Sequence, residues 1–153
     1  MRKNYKIILI AIVAVFIIIQ FFRPAKNLGN ITSNHIFEQV KLPSEIKTMI
    51  TNSCLDCHSN QTNYLWYHEI APVSWIISSD IKSGKEKLNF SEWGKMNAFD
   101  RIGALDNICD EVKSGDMPIE AYVIMHKKAR LTEAQRKTLC DWTKKLGEQM
   151  IGN

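Results

Sequence analysis

The run Cys54-Leu55-Asp56-Cys57-His58 constrains this chain more than any other feature. Its two cysteines lie three residues apart, and a histidine follows the second directly. At this spacing both thiols lie on one side of a single helical turn. Each can form a thioether with one vinyl group of the same porphyrin, and the neighbouring imidazole can then ligate the iron. The run therefore predicts one covalent haem c, attached through Cys54 and Cys57, with His58 as an axial ligand.

Two other kinds of site also use closely spaced cysteines. A zinc site needs four ligands, usually with a second Cys/His pair at similar spacing, and the sequence has no such pair. A thioredoxin-like dithiol needs a βαβ context, whereas the apolar patterns of this chain are helical. The other two cysteines, Cys109 and Cys140, pair in an oxidising compartment or stay buried as free thiols. Their spacing leaves both possibilities open.

Met117 is the predicted sixth ligand of the iron. It lies between Gly115, which permits a turn with positive φ, and Pro118, which restricts the following backbone. A thioether ligand favours ferrous iron and raises the reduction potential. His126 is the main alternative, and a second imidazole would lower the potential. The weaker candidates are Met125, Met96, His68 and His35, and we expect both of these histidines to be surface or loop residues.

An uncharged run of 16 residues, Ile7 to Phe22, precedes the motif, with Gln20 as its only strongly polar member. As a helix it would be about 24 Å long, a little under the roughly 30 Å hydrocarbon core of a bilayer. The charged ends of Lys6 and Arg23 could reach the two interfaces. We therefore predict an uncleaved, single-pass anchor in the cytoplasmic membrane. More basic residues precede the run than follow it, which favours a domain on the outer, periplasmic face.

A cleaved signal peptide is the alternative for this segment. Such peptides have a shorter apolar part and end at a small-x-small site, whereas Phe21-Phe22-Arg23-Pro24 follows here. In both cases the chain from Cys54 onward lies outside the cytoplasm. The predicted division of the chain is residues 1–28, the anchor and its flank, and residues 29–153, the haem-binding domain.

The net charge of +4 comes from the anchor region rather than from the domain. Five of the 20 Lys and Arg residues flank the apolar run, which leaves 15 against all 16 Asp and Glu residues after position 28. A nucleic-acid-binding domain would carry clustered basic charge on its folded part. We therefore expect no nucleic-acid partner.

The sequence of the domain itself predicts helices. Apolar residues at helical spacing, with capping signals before them, predict four segments. The first begins at Pro43-Ser44 and delivers Cys54, and the last opens with Thr132 and Gln135 as a capping box. Between them lie a short helix over Val73–Ile81, which Ser83-Gly84 is expected to end, and a longer one whose apolar stripe runs from Phe99 to Val112. Aromatic residues also crowd the stretch after the motif, and we expect them to form a wall against a flat apolar group: Tyr64, Trp66, Tyr67 and Trp75.

The early helix into CxxCH, the late Gly-x-Met-Pro and the closing amphipathic helix resemble class I cytochromes c. Several further strings resemble a narrower group, the small membrane-anchored bacterial haem-binding-domain proteins. These strings are Cys54-x-x-Cys57-His58-Ser59-Asn60-x-Thr62, Trp66-Tyr67, Pro72-Val73-Ser74-Trp75, Leu88-Asn89-Phe90-Ser91-Glu92-Trp93, and Gly115-x-Met117-Pro118 with Tyr122 and His126. The resemblance implies an all-α, class I cytochrome c-like domain that encloses one haem, with Cys54, Cys57 and His58 in the roles given above. The long aromatic stretch from Tyr64 to Trp93 departs from ordinary class I cytochromes.

The predicted function is single-electron transfer by a mono-haem, non-enzymatic carrier. The alternatives are a haem sensor or enzyme with a displaceable sixth ligand, and a haem-containing accessory subunit of a membrane complex. A basic stretch late in the chain suggests a face that steers an acidic redox partner. Its members are Lys127, Lys128, Arg130, Arg136, Lys137, Lys144 and Lys145.

Overall fold

The structure, a computed structural model, describes residues 2–152, with side chains from residue 4 onward. Within these residues the regular elements are helices, joined by turns and loops, and there is one isolated bridge between Leu28 and Gln61. The α-helices are α1 Arg2–Ile19, α2 Ile36–Gln39, α3 Ser44–Ser53, α4 Leu55–His58, α5 Val73–Lys87, α6 Ala98–Ser114, α7 Glu120–Met125 and α8 Glu133–Ile151. The 3-10 helices are Trp66–Glu69, Phe90–Lys95 and Lys127–Ala129. The prediction of an all-α chain agrees with this architecture.

One hydrophobic core joins α3, α6, α8 and the 3-10 helix Phe90–Lys95. α6 and α8 make the most extensive helix pair in it. Each helix contributes one apolar stripe, as expected where helices pack around a shared core. The stripes are Ile46, Met49 and Ile50 from α3, Leu105, Ile108 and Val112 from α6, and Leu139 from α8, with Phe90 and Trp93 beside them.

A disulfide joins Cys109 of α6 to Cys140 of α8. It settles the question that the spacing of these cysteines leaves open. Cys54 and Cys57 are both free. The four cysteines therefore divide into a structural pair within the α6–α8 contact and a thiol pair in the CxxCH run.

The predicted membrane anchor is wrong. None of the helices that the structure describes has both the length and the apolar composition needed to cross a membrane. The helical part of the apolar run ends at Ile19 rather than Phe22, so its uncharged portion, Ile7–Ile19, is about 20 Å long. The rest of α1 carries the basic residues of the amino terminus. A single-pass location in the cytoplasmic membrane, with the domain on its outer face, is therefore not supported.

Gln20, the residue directly after α1, ties the end of this helix to the rest of the domain. Its side chain accepts a hydrogen bond from Ala71 N–H at 3.0 Å and donates one to the Ala71 carbonyl at 3.1 Å. The following residues stay close to the domain, since Trp75 Nε1 donates to the Phe22 carbonyl and Gly29 N–H donates to the Asn60 carbonyl. These contacts between distant segments cannot be read from the local sequence. The division of the chain at residues 28 and 29 stays a prediction.

Local details of the predicted helices differ from the structure at three places. α5 continues through Ser83-Gly84 to Lys87 instead of ending at Ile81. Phe99 is exposed rather than part of the α6 stripe. Ser44 lies inside α3, which Pro43 precedes without a side-chain cap. The capping box of α8 is confirmed, with Thr132 and Gln135 as its two members.

Candidate functional site

The CxxCH run lies at the junction between α3 and α4. Cys54 is the residue at which α3 ends and α4 begins, and His58 N–H donates to the Cys54 carbonyl at 2.9 Å. This single helical turn places the thiols of Cys54 and Cys57 on one side, as their spacing predicts. Both cysteines and His58 are half-buried.

The imidazole of His58 is oriented by the backbone of a distant segment. Its Nδ1 lies 3.0 Å from the Leu88 carbonyl oxygen. A carbonyl oxygen only accepts, so Nδ1 must carry a hydrogen. Phe90 contacts the ring edge-on, with 6.5 Å between centroids. His58 is thus oriented through its Nδ1, which leaves Nε2 as the ring nitrogen that can ligate a metal, the arrangement that metal-bound histidines usually show.

Burial keeps both thiols protonated. It raises the pKa of Cys54 to about 12, with a further contribution from Cys57. It also raises the pKa of Cys57 to about 11, and the carboxylates of Asp56 and Asp80 add to this effect. A redox-active dithiol needs a lowered thiol pKa in an electropositive setting. The electrostatics of this pair therefore disfavour thioredoxin-like chemistry.

Gly84 lets α5 approach the motif more closely than another residue would. A Cβ atom built on Gly84 would lie 2.8 Å from the Cys57 carbonyl oxygen. α4 and α5 pack against each other along this contact. The glycine that resembles a helix stop in the sequence is thus a contact point within α5 and supports the turn that carries Cys57.

Asp56 ties the motif to two other segments. Its Oδ1 accepts from Asn63 N–H at 3.0 Å, and its carbonyl accepts from the Thr62 hydroxyl at 2.6 Å. Its Oδ2 accepts from the Tyr122 hydroxyl of α7 at 2.8 Å. Burial and the nearby carboxylate raise the pKa of Tyr122 well above its usual range, so the phenol stays a donor. Sequence reasoning missed Asp56 because it is a variable position of the CxxCH pattern.

Met117 lies just beyond α6, in the turn that Gly115 makes at φ 90°. It is half-buried, its N–H donates to the Glu111 carbonyl at 3.0 Å, and its side chain packs against the hydrophobic core. Cys54 and Leu55 of the motif pack against the same core. Met117 and the motif therefore both border the hydrophobic core.

Arg136 of α8 fixes the end of α6 before this turn. Its Nη1 donates to the Val112 carbonyl, and its Nε donates to the Leu131 carbonyl at 3.4 Å. Helices end with carbonyl groups that lack partners within the helix, and Arg136 satisfies one of them. The residue was assigned to the basic face, whereas its guanidinium supports the Met117 turn.

His126 belongs to a cluster with Tyr67, His68 and Tyr122. Its ring stacks on Tyr122, with 3.9 Å between centroids, and its Nε2 lies 3.3 Å from the Tyr67 hydroxyl. The His68 ring is 6.0 Å away. Through Tyr122 and Asp56 this cluster reaches the motif, so His126 lies one side chain removed from it.

The weaker ligand candidates are occupied elsewhere or exposed. His35 is buried and accepts from Phe37 N–H as the N-cap of α2. His68 is buried too, and its Nδ1 accepts from Leu65 N–H at 3.1 Å. The expectation of surface or loop residues is wrong as to the surface, because each histidine is buried and satisfies a backbone donor; His35 does lie in the loop before α2, whereas His68 lies in the 3-10 helix Trp66–Glu69. Met96 packs against the core and Met125 is exposed.

The predicted aromatic wall does not form as one surface. Trp66 is 74% exposed. Trp75 donates to the Phe22 carbonyl, and Tyr64 accepts from Asn27 N–H at 2.8 Å. Tyr67 belongs to the His126 cluster, and Tyr64 contacts the His68 ring of that cluster, with 5.6 Å between centroids. Through their hydrogen bonds, Trp75 and Tyr64 also hold the segment that follows α1.

The donor set suits a haem better than a bare metal ion. Two free thiols on one turn and an imidazole with an available Nε2 meet the needs of attachment and ligation. Leu55, Leu88 and Phe90 supply apolar neighbours. Among the described residues, no three His, Cys, Asp or Glu side chains converge as a metal site would require. Two cavities lie along α5, and no residue of the motif lines either of them.

Comparison with protein families finds one match. Residues 14–145 match the model of the family described as the haem-binding domain. The match includes the CxxCH run, α5, the Met117 turn and most of α8. No curated protein and no solved structure matches the chain.

Proposed function

Since the chain belongs to the haem-binding domain family, we propose that it is a mono-haem c-type cytochrome that carries single electrons. Haem binding itself follows from the family. The covalent attachment, the axial ligands and the electron transfer are the proposal. One observation carries it, the Nδ1–H of His58 bonded to the Leu88 carbonyl beside two free, protonated thiols.

Cys54 and Cys57 are the proposed attachment points. Each thiol would add across one vinyl double bond, with the sulfur bonding to one vinyl carbon and the hydrogen passing to the other. This addition needs no net oxidant or reductant. The raised pKa of both thiols fits residues that stay reduced and uncharged until they react. Gly84 supports the reaction indirectly because it lets α5 brace the turn.

His58 is the proposed proximal ligand. The hydrogen bond to Leu88 sets both its tautomer and its ring orientation, and a donated Nδ1–H raises the basicity of the ligating nitrogen. The haem, when bound, supplies the one-electron iron chemistry. The protein supplies the ligands, their orientation and the apolar neighbours that exclude water.

Met117 is the proposed sixth ligand, with His126 as the alternative. The Gly115 turn and Arg136 support Met117, whereas Tyr67 and Tyr122 hold the His126 ring. The optical spectrum of the ferric protein distinguishes them, since only a thioether gives a sulfur-to-iron charge-transfer band. We expect this band in the wild-type protein, and its loss in Met117→Ala but not in His126→Asn. Its presence in Met117→Ala would contradict this assignment.

A sensor or enzyme is the second candidate function. The polar cluster of Tyr67, His68, Tyr122 and His126, which is linked to the motif through Asp56, favours it, because hydrogen-bonding groups in a haem pocket influence ligand binding and activation. Carbon monoxide binding to the reduced protein tests this candidate. Slow, weak binding is expected if Met117 holds the sixth position firmly, and rapid, tight binding would favour the sensor or enzyme.

An acidic redox partner remains part of the proposal. Arg136 is taken up by α6, and Arg130 and Lys137 are paired with Glu120 and Asp141. The other four members of the basic stretch are exposed lysines: Lys127, Lys128, Lys144 and Lys145. Neutralising these four lysines should slow electron exchange with an acidic partner and flatten its dependence on salt. Unchanged rates and an unchanged salt dependence would refute the steering role.

A further inference from the structure

A cavity of about 220 Å³ opens between the segment after α1, the 3-10 helix Trp66–Glu69 and the start of α5. The function proposed above does not use it. Its lining is rich in hydrogen-bond donors and cations, and six residues matter for its chemistry. They are Arg23, Lys26, Tyr64, His68, Glu69 and Ser74.

Ser74 is the strongest indication that something binds there. The residue is 4% exposed, and its hydroxyl is buried without a hydrogen-bond partner. Buried hydroxyl groups ordinarily have a partner. Because Ser74 lines the cavity, an acceptor atom in that space would satisfy it.

Tyr64 and His68 add further donor capacity to the wall. The Tyr64 oxygen already accepts from Asn27 N–H at 2.8 Å, so its own hydrogen is free to be donated. His68 Nδ1 accepts from Leu65 N–H, so the hydrogen of the neutral ring lies on Nε2. Three uncharged side chains of the lining, those of Ser74, Tyr64 and His68, can therefore donate.

The charge at the cavity is positive. Glu69 lies 3.6 Å from Arg23 and also pairs with Lys26. One carboxylate thus balances one of two cations and leaves a net charge of about +1. A monoanion would neutralise this charge, whereas a doubly charged phosphate would reverse it.

We propose that this cavity is a binding site for a single carboxylate group, which accepts from Ser74 and Tyr64 and is balanced by Arg23 and Lys26. The carboxylate has two possible sources, a propionate side chain of the haem or a free small carboxylate. The first source rests on the proposed function. His68, which lines the cavity, contacts Tyr67 and His126, and this cluster is linked to Asp56 of the motif through Tyr122.

The test compares the full-length wild-type protein, as purified with its haem, with Ser74→Ala. Removing an unpartnered buried hydroxyl should not impair folding. Ser79→Ala is the matched control, since Ser79 lies on the same helix and is exposed. Acetate is titrated into each protein, and the amide NMR shifts of residues 64 and 74 are followed. The haem reduction potential of each protein is measured in parallel, with Lys26→Gln as a second variant.

Two results support the site and identify its source. Saturable shifts with acetate that weaken about tenfold in Ser74→Ala, but not in Ser79→Ala, indicate a free carboxylate, since a hydrogen bond to a charged group contributes at least that factor. No acetate binding, together with a lowered potential in Ser74→Ala and Lys26→Gln but not in Ser79→Ala, indicates a haem propionate. Loss of donors would leave more negative charge near the iron and so favour its ferric form.

Absence of both effects would overturn the carboxylate site. If the protein carries no haem after expression with a maturation system, the proposed function fails. Acetate binding alone then tests whether the cavity is a carboxylate site. Saturable binding would then still support the site, and no binding would refute it.

Discussion

The Tyr122 hydroxyl of α7 donates a 2.8 Å hydrogen bond to Oδ2 of Asp56, between the two cysteines of the motif. The other carboxylate oxygen of Asp56 accepts a hydrogen bond from Asn63 N–H. One side chain therefore joins α7 and the loop after the motif to the turn that carries the cysteines. Tyr122 therefore helps to position the CxxCH turn, although it lies 66 residues after Asp56 in the sequence.

Tyr122→Phe should lower the free energy of unfolding by roughly 1.5–3 kcal/mol, the range for a hydrogen bond to a charged group. The half-buried Asp56 carboxylate would lose one of its partners. Tyr5→Phe is the control, since Tyr5 is exposed on α1 and should change little. Urea denaturation of both variants measures the difference, and equal stabilities would contradict the role of Tyr122.

Gly84→Ala should displace α5 from the motif. Its Cβ would lie 2.8 Å from the Cys57 carbonyl oxygen and 3.3 Å from Cys57 Cβ, and overpacking of this kind costs about 1–3 kcal/mol. Gly103→Ala is the matched control, because nothing lies within 4 Å of its Cβ position in the middle of α6. That variant should gain about 0.5–1 kcal/mol. The measurements are the thermal unfolding temperature and the haem content per chain of each variant. If the Gly84→Ala variant matched the Gly103→Ala variant in both, the close contact would be refuted.

Arg136→Ala should loosen the turn that carries Met117, because the Val112 carbonyl loses its donor. If Met117 ligates the iron, imidazole should bind to the ferric protein at least tenfold more tightly in this variant, about 1.4 kcal/mol. Arg136→Lys should restore part of the wild-type behaviour. Lys137→Ala, on the exposed side of α8, serves as control. Imidazole affinities that match in Arg136→Ala and Lys137→Ala would exclude a positioning role.

Two buried histidines should make the fold sensitive to acid. Burial lowers the pKa of His35 and of His68 below the ordinary 6.5. Below that pH the unfolded chain binds protons that the folded chain does not, so the free energy of unfolding is highest above pH 6.5 and decreases as the pH falls towards the folded-state pKa values.

His35→Asn and His68→Asn test this dependence, because asparagine keeps an acceptor near the Nδ1 position for Phe37 and Leu65 N–H. Urea midpoints compared at about pH 7.5 and about pH 5 give the slope. Each single variant should reduce the difference, and the double variant should reduce it most. A double variant with the wild-type slope would assign the acid sensitivity to other groups.

Features set by neighbouring residues could be predicted from the sequence. The capping box of Thr132 and Gln135 is one, and the apolar stripe of α3 is another. Both depend on contacts within one or two helical turns. The CxxCH turn belongs to this group, since the two thiols need only a single turn to share a side.

Features set by distant contacts could not be predicted. α1 ends at Ile19, and Gln20 then bonds to Ala71, 51 residues on. From the sequence, Gly84 is predicted to end a helix, whereas in the structure it allows the close contact between α5 and Cys57. Arg136 is likewise predicted to be a surface charge, whereas its guanidinium donates to the Val112 carbonyl. His35 and His68 are buried because each accepts from a backbone N–H, a role that histidine composition does not reveal.

The most direct test of haem attachment through Cys54 and Cys57 measures covalent haem on the polypeptide. The chain is expressed with a cytochrome c maturation system, extracted with acidic acetone, and examined as its pyridine haemochrome. We expect haem to stay with the denatured wild-type chain and with Cys109→Ala/Cys140→Ala, and to be absent from Cys54→Ala/Cys57→Ala. Haem that is extracted from the wild-type chain, or that is retained equally without Cys54 and Cys57, would contradict the c-type assignment.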